Sequence, residues 1–459
     1  MATVGINFGS AGGGTGFDVT ATVTSILAIE QGIETPWKTQ LTSLKAQDAA
    51  LSTFGTDLST LSTSLQALTD FTGVFAAKQG SSSDTSVISL SSASSAAVAG
   101  SHSILVTSLA TTSSEYSNRV ANASDTLAGS LNIKIGSGAS QTITVGSGSN
   151  TLASFAAAIN AASLGVTANV VTDTLGSRLS LVSSTSGAAG QITLSSSLTD
   201  STTGSALSFS TGQTGADAVL NVDGLNTTSA SNTVTGAIPG VTFQLLSASA
   251  SGSSPVQVQI TNDNAAIGTA VGSFVAAYNA VVTDIKTQEG KDSSGNAEPL
   301  YGDATLAMIQ NQLTTGLLGG AASGTINSIT QLGVTAGPDG KLALDKTVLD
   351  SVLNSNFADV TGFLQNSSSF GTTFASALNG LGNASPTGAI YLAQQQNTAE
   401  ETALNKSLTD EDARIAADKT RLTTELNTAN QILQSIPSQL NQVNELYNAF
   451  TGYIQSPTG

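Results

Sequence analysis

LTTELNTANQILQSIPSQLNQVNELYNAF, residues 422–450, is the stretch that decides the fold. Its apolar side chains alternate in spacings of four and three residues, the a/d heptad pattern of helices that pack side by side. Members seven residues apart begin earlier, but Asp412 and Lys419 occupy the second seam position there, so we expect looser pairing before residue 422. Pro437 is expected to kink or divide the helix. The predicted C-terminal seam is Leu408, Ile415, Leu422, Leu426, Leu433, Ile436, Leu440, Val443, Tyr447 and Phe450.

A second apolar stripe lies near the other end of the chain. Its members are three, four or seven residues apart, with Ser, Thr, Gln and Asp between them, and Gly55 interrupts them. A stripe of about nine turns needs a partner, and we predict the C-terminal helix to be that partner. This N-terminal seam is Trp37, Leu41, Leu44, Leu51, Phe54, Leu58, Leu61, Leu65 and Leu68.

A short amphipathic helix is predicted before that stripe. Asp18 is a candidate N-cap, Gly32 and Pro36 break the helix, and Thr35–Pro36 fit the N-cap and N1 positions of the next one. We expect the segments outside these breaks, about 1–35 and 438–459, to contact a partner assembly, with Gly32, Pro36, Gly55 and Pro437 as hinges. The apolar residues of the short helix are Val19, Val23, Ile26, Leu27 and Ile33.

Residues 78–262 have a different character. Short alternating runs separated by Gly, Ser and Asn predict half-buried strands, and one helix is predicted from residue 152. Helical spacing returns at 263–285, 304–318 and 347–357, a hairpin is predicted around Pro338, and a Ser/Gly/Asn-rich stretch follows at 366–388. The predicted strand runs are 103–110, 131–135, 141–145, 178–182, 191–195, 218–224, 241–246 and 256–260, with another beginning near Asn169.

Together these patterns predict an α+β multidomain fold, in which terminal helices form a coiled-coil stalk that carries inserted β-rich head domains. The first and last segments, 1–36 and 438–459, form one terminal part. The predicted helical leg domain is 37–77 with 263–437, the β-rich head is 78–126 with 215–262, and an inserted head domain is 127–214.

Composition narrows the class of function. The 459 residues carry 31 acidic against 14 basic side chains, a net charge of −17, which disfavours nucleic acid and anionic membranes as partners. Cysteine is absent, so no disulfide or Cys-ligated metal is expected. The first residues lack the basic and apolar regions of a cleaved signal peptide, so an extracellular location would require another export route.

Candidate catalytic, cofactor and metal sites are weak. His102 is the sole histidine, and the loop from Asp292 to Glu298 lacks the spaced carboxylates of a calcium loop. The Gly-rich run 9–16 follows no strand and has no Lys after it, so it does not fit a phosphate loop. Trp37 fits core packing better than an interface anchor. We therefore predict no catalytic residues, no metal and no cofactor.

Several motifs, in order along the chain, resemble the bacterial flagellar filament-cap family, flagellar hook-associated protein 2. One of them resembles the flagellin-hook IN motif, with Ile159-Asn160 as the pair. The motifs are GFDVTATVTSILAIE (16–30), TLASFAAAINAASLGVTANVV (151–171), RLSLVSSTSGAAGQITL (178–194), AVLNVDGLNTTSASNTVTGAIPGVTFQLL (218–246), FVAAYNAVVTDIKTQ (274–288), PLYGDATL (299–306) and LGVTAGPDGKLALDKTVLDSVL (332–353).

The resemblance implies a secreted structural protein at the flagellum tip. Copies of the chain would form a small ring, a pentamer, that holds exported flagellin while it folds and inserts. Flagellin, the hook-filament junction protein and an export chaperone are the implied partners, and export would follow the flagellar type III route. Alternatives are a flagellin or junction protein, a secondary role as a tip adhesin, and, least supported, an enzyme. The 299–306 and 332–353 segments favour the cap.

Overall fold

The computed structural model describes residues 16–382 and 387–454. The chain forms two compact units, one of Met1–Thr69 with Val271–Gly459 and one of Asp70–Ala270. Paired terminal helices in the first unit and a β-rich insertion confirm the α+β multidomain class. Residues 1–15, with most of the Gly-rich run 9–16, lie outside the described residues.

Eight helices are formed by the described residues, and short polar side chains cap several of them. Asp18, Asp303 and Asp345 each accept hydrogen bonds from backbone N–H groups in the first turn, which satisfies donors that a helix start leaves unpaired. The predicted cap at Asp18 is present. The helices are α1 (Val19–Gln31), α2 (Glu34–Thr69), α3 (Leu152–Ala161), α4 (Asn264–Gln288), α5 (Ala304–Leu317), α6 (Lys346–Gln365), α7 (Phe370–Leu381) and α8 (Ala389–Ile454).

Strands fill most of the second unit, and one hairpin, β18–β19, lies in the first. The strands are β1 (Lys78–Ser82), β2 (Ile88–Ala93), β3 (Gly100–Ser108), β4 (Thr112–Ser117), β5 (Leu127–Ala128), β6 (Ser130–Ile135), β7 (Gln141–Thr144), β8 (Val166–Asp173), β9 (Gly176–Ser186), β10 (Ile192–Ser196), β11 (Thr199–Asp200), β12 (Phe209–Gln213), β13 (Ala218–Val222), β14 (Leu225–Ser229), β15 (Thr233–Ile238), β16 (Val241–Leu245), β17 (Val256–Asn262), β18 (Val334–Ala336) and β19 (Leu342–Leu344).

The helical unit has an aromatic centre. Phe274 of α4 meets the rings of Phe370 and Phe374 edge to face, with centroids 6.2 Å and 5.6 Å away, and Phe363 stacks on Phe370 at 5.5 Å. Offset and edge-to-face contacts of this kind add to the burial of apolar area. By length and composition α4 could cross a membrane, but half of its apolar window is buried in the fold, as in the core helix of a globular unit.

The insertion is closed by the pairing of its first and last strands. β1 and β17 run antiparallel with Lys78 opposite Asn262, so the first and last strands of the unit are hydrogen-bonded neighbours. The five-stranded sheet β1-β17-β3-β13-β14 and the three-stranded sheet β15-β16-β2 share one apolar core that includes Ile104, Leu220 and Phe243.

A second core lies within the same unit. The sheets β12-β4-β9-β8 and β10-β6-β7 surround α3, whose Phe155 and Ile159 are fully buried. The Asn160 side chain donates to the Ala168 carbonyl at 2.8 Å and accepts from the Ala168 N–H at 2.7 Å. The Ile-Asn pair therefore fixes α3 to β8, with Ile159 in the core and Asn160 on the backbone.

Several elements differ from the sequence prediction. Residues 366–388 contain α7 where we expected an irregular stretch, and α6 continues to Gln365, beyond the expected end at residue 357, through non-helical dihedrals at Asn356. Other strands were missed: in β1, β4, β12 and β14 polar residues replace the apolar alternation on which strand prediction depends, β5 and β11 have only two residues each, and the short alternation in β2 and β15 was overlooked. The missed strands are β1, β2, β4, β5, β11, β12, β14 and β15.

Candidate functional site: the paired terminal helices

α1 packs on α8 through the apolar face that the sequence predicts. Val19, Val23 and Leu27 are buried in a cluster with Ile415, and the half-buried Leu422 and Leu426 pack against it. The Phe17 N–H donates to the Asn430 side-chain oxygen at 2.9 Å. Since residue 17 lies opposite 430 while later α1 residues meet earlier α8 residues, the two helices run antiparallel.

α2 continues along α8 in the same sense, but only with its N-terminal part. The Asn397 amide donates to Asp48 at 2.8 Å, and Gln40 donates to Glu400. The sequence predicts that the whole stripe from Trp37 to Leu68 packs on the C-terminal helix. That expectation is wrong for the second half, since α2 contacts α7 and α6 and the backbone carbonyl of Leu68 accepts from Gln365.

This division of the α2 stripe has a simple cause. α8 begins at Ala389, after α7 has turned back along α2, so the apolar residues from Phe54 onward are enclosed by the helical core. Gly55 is buried there inside an uninterrupted helix, which argues against a hinge at that position. The buried members of the predicted seam are Leu44, Leu51, Phe54, Leu58, Leu61, Leu65 and Leu68, while Trp37 and Leu41 are half-buried.

The break between α1 and α2 contains buried charge. α2 begins at Glu34, so Thr35 and Pro36 lie in its first turn rather than at the N-cap and N1 positions. A proline in the first turn still costs no intrahelical hydrogen bond, because the N–H groups there have no partner within the helix. One Glu34 oxygen accepts from Lys38 at 2.6 Å. Within the described chain the other, Glu34 Oε1, and Glu30 Oε2 are buried without a hydrogen-bond partner. Burying a carboxylate oxygen without a hydrogen bond costs free energy. The break between α1 and α2 is therefore a destabilised point of the terminal helices.

The end of α8 carries an uncovered apolar face. α8 is one helix through Pro437, so the expected division near Ile436 is absent. Leu433 and Ile436 are half-buried, whereas the following apolar side chains are 54% to 71% exposed. We call this face the α8 tail stripe; its members are Leu440, Val443, Leu446, Tyr447 and Phe450.

The predicted filament-contacting residues divide into two groups. Val19, Val23 and Leu27 are buried on α8, so that face is used within the chain and is not free for a partner. Ile26 is half-buried, and Ile33 is 50% exposed. Sequence reasoning missed Ile29, which is 65% exposed, and Leu446 of the tail stripe. Ile29 is not among the apolar residues predicted for the short helix, and Leu446 lies outside the a/d positions of the C-terminal helix. In each case the sequence signal was an apolar residue outside the predicted seam.

The described residues contain no cluster of side chains that could ligate a metal ion. Across 16–382 and 387–454 no three His, Cys, Asp or Glu side chains converge as metal ligands would. The Nδ1 atom of His102 lies 2.7 Å from Asp223, and hydrogen bonds from His102 and from the Ser103 N–H hold the pKa of the Asp223 carboxyl below its ordinary value. This couple lies at the protein surface, where it fixes a strand to a turn.

The comparisons with known proteins agree with this architecture. The family model for the N-terminus of flagellar hook-associated protein 2 matches residues 15–113, and that for its C-terminus matches 215–439. The B-type flagellar hook-associated protein 2 of Pseudomonas aeruginosa PAO1 is 29% identical over 425 residues, 86% of each chain. The Escherichia coli K12 protein is 27% identical, covering 76% of this chain and 79% of its own.

One solved structure extends the comparison to the fold. The crystal structure of the D1-D2-D3 domains of the flagellar cap protein FliD from Escherichia coli superimposes with a TM-score of 0.57 at 26% identity, covering 76% of this chain and 99% of that one. Fold and matches together define a structural protein of the bacterial flagellum. The chain belongs to the flagellar hook-associated protein 2 family, the flagellar cap proteins. This confirms the resemblance seen in the sequence motifs.

Proposed function

We propose that the protein assembles as an oligomeric cap at the distal tip of the flagellar filament, where it holds exported flagellin and promotes its folding and insertion. The family assignment supports the cap role. The observation that carries the filament contact is the α1–α8 pair, which buries one apolar face and leaves Ile29, Ile33 and the α8 tail stripe exposed. Exposed apolar patches on a folded surface mark sites of protein association.

The same proposal includes the partners and the export route. Copies of the chain form a small ring, a pentamer; flagellin and the hook-filament junction protein are its neighbours, and an export chaperone holds the chain before secretion. The chain leaves by the flagellar type III route. Its freedom from cysteine and its low aromatic content of 5% support passage through a channel in the unfolded state. Neither nucleic acid nor membrane is a proposed partner, in keeping with the net charge of −17.

The break at Gly32 is the proposed hinge of the filament-contacting part. It is the point where α1 ends and α2 begins, and the buried oxygens of Glu30 and Glu34 disfavour the geometry seen here. A change of angle at this break would expose those oxygens to water and so recover hydration free energy. Pro36, Gly55 and Pro437 all lie inside continuous helices and provide no such break.

The deletion of residues 1–35 tests the filament contact. We expect a folded, soluble oligomer that fails to restore filament growth when added to cells lacking their cap; normal growth would reject the assignment. Deletion also uncovers Ile415, Leu422 and Leu426, so its effect combines lost contact with lost packing. A cap that restores growth also distinguishes this function from that of a flagellin, which only supplies subunits.

Point variants separate these two causes. The double variant Ile29→Asn/Ile33→Asn alters only exposed side chains of the α1–α2 break, and we expect it to keep the oligomer while slowing filament growth. Leu175→Asn is the control, since Leu175 is also a largely exposed apolar residue, at 72%, but lies in the β-rich unit. Equal growth with the double variant and with the control would show that this surface does not contact the filament.

A further inference from the structure

β8 lies at the free edge of the sheet β12-β4-β9-β8, and its sequence does little to protect that edge. At eight residues it is longer than any other strand that ends a sheet in the described chain. It contains no Lys, Arg or Pro, its one charged residue is the terminal Asp173, and its register with β9 has no shift. A long, regular edge strand without such protection is prone to pair with a strand of another molecule.

Alternate residues of β8 direct their backbone groups away from the sheet. The Ser184 N–H of β9 donates to the Gly165 carbonyl at 2.8 Å, one position before β8 begins. Residues two apart in an antiparallel ladder bond to the same side, so Thr167 and every second residue after it face β9. The residues between them point their N–H and C=O groups to the free edge; they are Val166, Ala168, Val170 and Thr172.

Asn160 of the Ile-Asn pair occupies the middle of this edge. Its side-chain amide donates to the Ala168 carbonyl at 2.8 Å and accepts from the Ala168 N–H at 2.7 Å. One side chain thus makes both of the hydrogen bonds that a residue of a neighbouring strand would make. The fully buried Ile159 next to it anchors the last turn of α3 and so holds the amide in place.

We propose that Asn160 covers the free edge of β8 and thereby prevents this strand from pairing with β8 of a second copy of the chain. In an antiparallel pair of β8 strands centred on Asn169, Ala168 of each copy would lie opposite Val170 of the other in a hydrogen-bonded pair. Asn160 already occupies the Ala168 groups, so half of the hydrogen-bonded pairs cannot form. The pairs that remain lie at the two ends of the strand, separated by the blocked middle.

The strand itself makes a second copy the partner that Asn160 has to exclude. Asp173 of each copy would lie opposite Gly165 of the other, so the two strands would meet without like charges facing each other. Val166, Val170 and Val171 are β-branched residues, which favour strand pairing. The inference goes beyond the proposed function, because it concerns the β-rich unit and its test requires no filament.

Cysteine cross-linking in the full-length protein tests this role, since the chain has no cysteine of its own. Asn169→Cys is the reporter: it is exposed, and two β8 strands centred on it would bring the position from each copy to a Cβ separation of about 5 Å. Asn160→Ala/Asn169→Cys uncovers the edge. Asn160→Asp/Asn169→Cys is the matched control, because aspartate also loses the hydrogen bond to the Ala168 carbonyl but places a repelling charge at the edge.

Under mild oxidation we expect disulfide-linked dimers of the alanine variant to form at least about tenfold faster than those of Asn169→Cys alone, since uncovering Ala168 permits several more hydrogen bonds. The aspartate variant should stay close to the rate of Asn169→Cys alone. Asn160→Ala/Leu175→Cys, with its thiol at an exposed position beyond the end of β8, should show no acceleration over Leu175→Cys. Thermal unfolding verifies that each variant is folded.

A second measurement removes the cysteines. Sedimentation velocity should show larger species for Asn160→Ala than for the wild type, and Asn160→Ala/Asn169→Lys should lose them again, because two lysines would face each other at the centre of the pair.

Three results would overturn the proposal. Equal cross-linking rates with asparagine and with alanine at position 160 would show that this side chain does not protect the edge. Equally raised rates for the alanine and aspartate variants would show that Asn160 only holds α3 in place. The same acceleration at position 175 as at 169 would indicate general aggregation instead of pairing through β8.

Discussion

At the scale of single residues, two carboxyl groups share a site inside the helical unit. Asp284 of α4 and Asp57 of α2 are both half-buried and hydrogen-bonded to each other. Burial, followed by the hydrogen bond and the charge of Asp57, raises the pKa of Asp284 to about 6 from an ordinary value of 3.8. Because the folded protein keeps a proton that the unfolded chain has lost, stability falls as the pH rises between these two values and stays low above pH 6.

We therefore expect the helical unit to be more stable at pH 5 than at pH 7.5. Asp57→Asn should remove the repulsion, raise the free energy of unfolding at pH 7.5 by on the order of 1 kcal/mol after allowance for solvent screening, and flatten the pH dependence. Denaturant unfolding at the two pH values measures both effects. Asp350→Asn, the same change at an exposed site on α6, is the control. A wild-type protein that gains stability between pH 5 and 7.5 would contradict the prediction.

At the scale of elements, α7 contains two glycines whose roles cannot be distinguished from the sequence alone. Its two glycines have opposite surroundings: a Cβ on Gly371 would overlap the Leu364 carbonyl oxygen and Thr69, whereas a Cβ on Gly380 would meet nothing within 4 Å. Gly371 lets the start of α7 approach the end of α6 closely, while Gly380 only weakens the helix. Both read identically in the sequence, as glycines that disfavour a helix.

Alanine substitutions at these positions should act in opposite directions. We expect Gly371→Ala to destabilise the helical unit by about 2 kcal/mol or more through overpacking, and Gly380→Ala to stabilise it by up to about 1 kcal/mol through helix propensity. Thermal and denaturant unfolding of the two variants, measured side by side, tests this. If Gly371→Ala were as well tolerated as Gly380→Ala, α7 would not dock against α6 as closely as described.

Long periodic elements could be predicted from the sequence, and their partners could only be predicted in part. The seams of α2 and α8 and the cap at Asp18 follow from spacing and local chemistry. The spacing of apolar residues does not reveal that α7 packs on the second half of the α2 stripe. Which helix packs on which depends on contacts between residues far apart in the sequence. The exposed Leu446 and the unpaired oxygens of Glu30 and Glu34 likewise depend on tertiary packing. The sequence therefore predicts the components of the candidate site better than their pairing.

At the scale of the whole molecule, the first and last strands of the β-rich unit are held together. The Ala77 carbonyl accepts from the Asp263 N–H at 3.1 Å, directly beside the Lys78–Asn262 pair that closes the β-rich unit. Each unit encloses its own buried apolar residues, such as Leu61 and Phe374 in one and Phe155 and Phe243 in the other. Units with separate cores and adjacent ends are expected to fold independently.

This separation predicts two distinct unfolding transitions for the full-length chain. Leu61→Ala should lower only one of them and Phe155→Ala only the other, each with a loss of roughly 2–5 kcal/mol from the cavity left in a packed core. Differential scanning calorimetry of the two variants assigns the transitions, and the fragment 70–270 should reproduce the one that Phe155→Ala shifts. If each substitution lowered both transitions together, the two units would be energetically coupled. A fragment 70–270 without a cooperative transition would show that the β-rich unit needs the helical unit in order to fold.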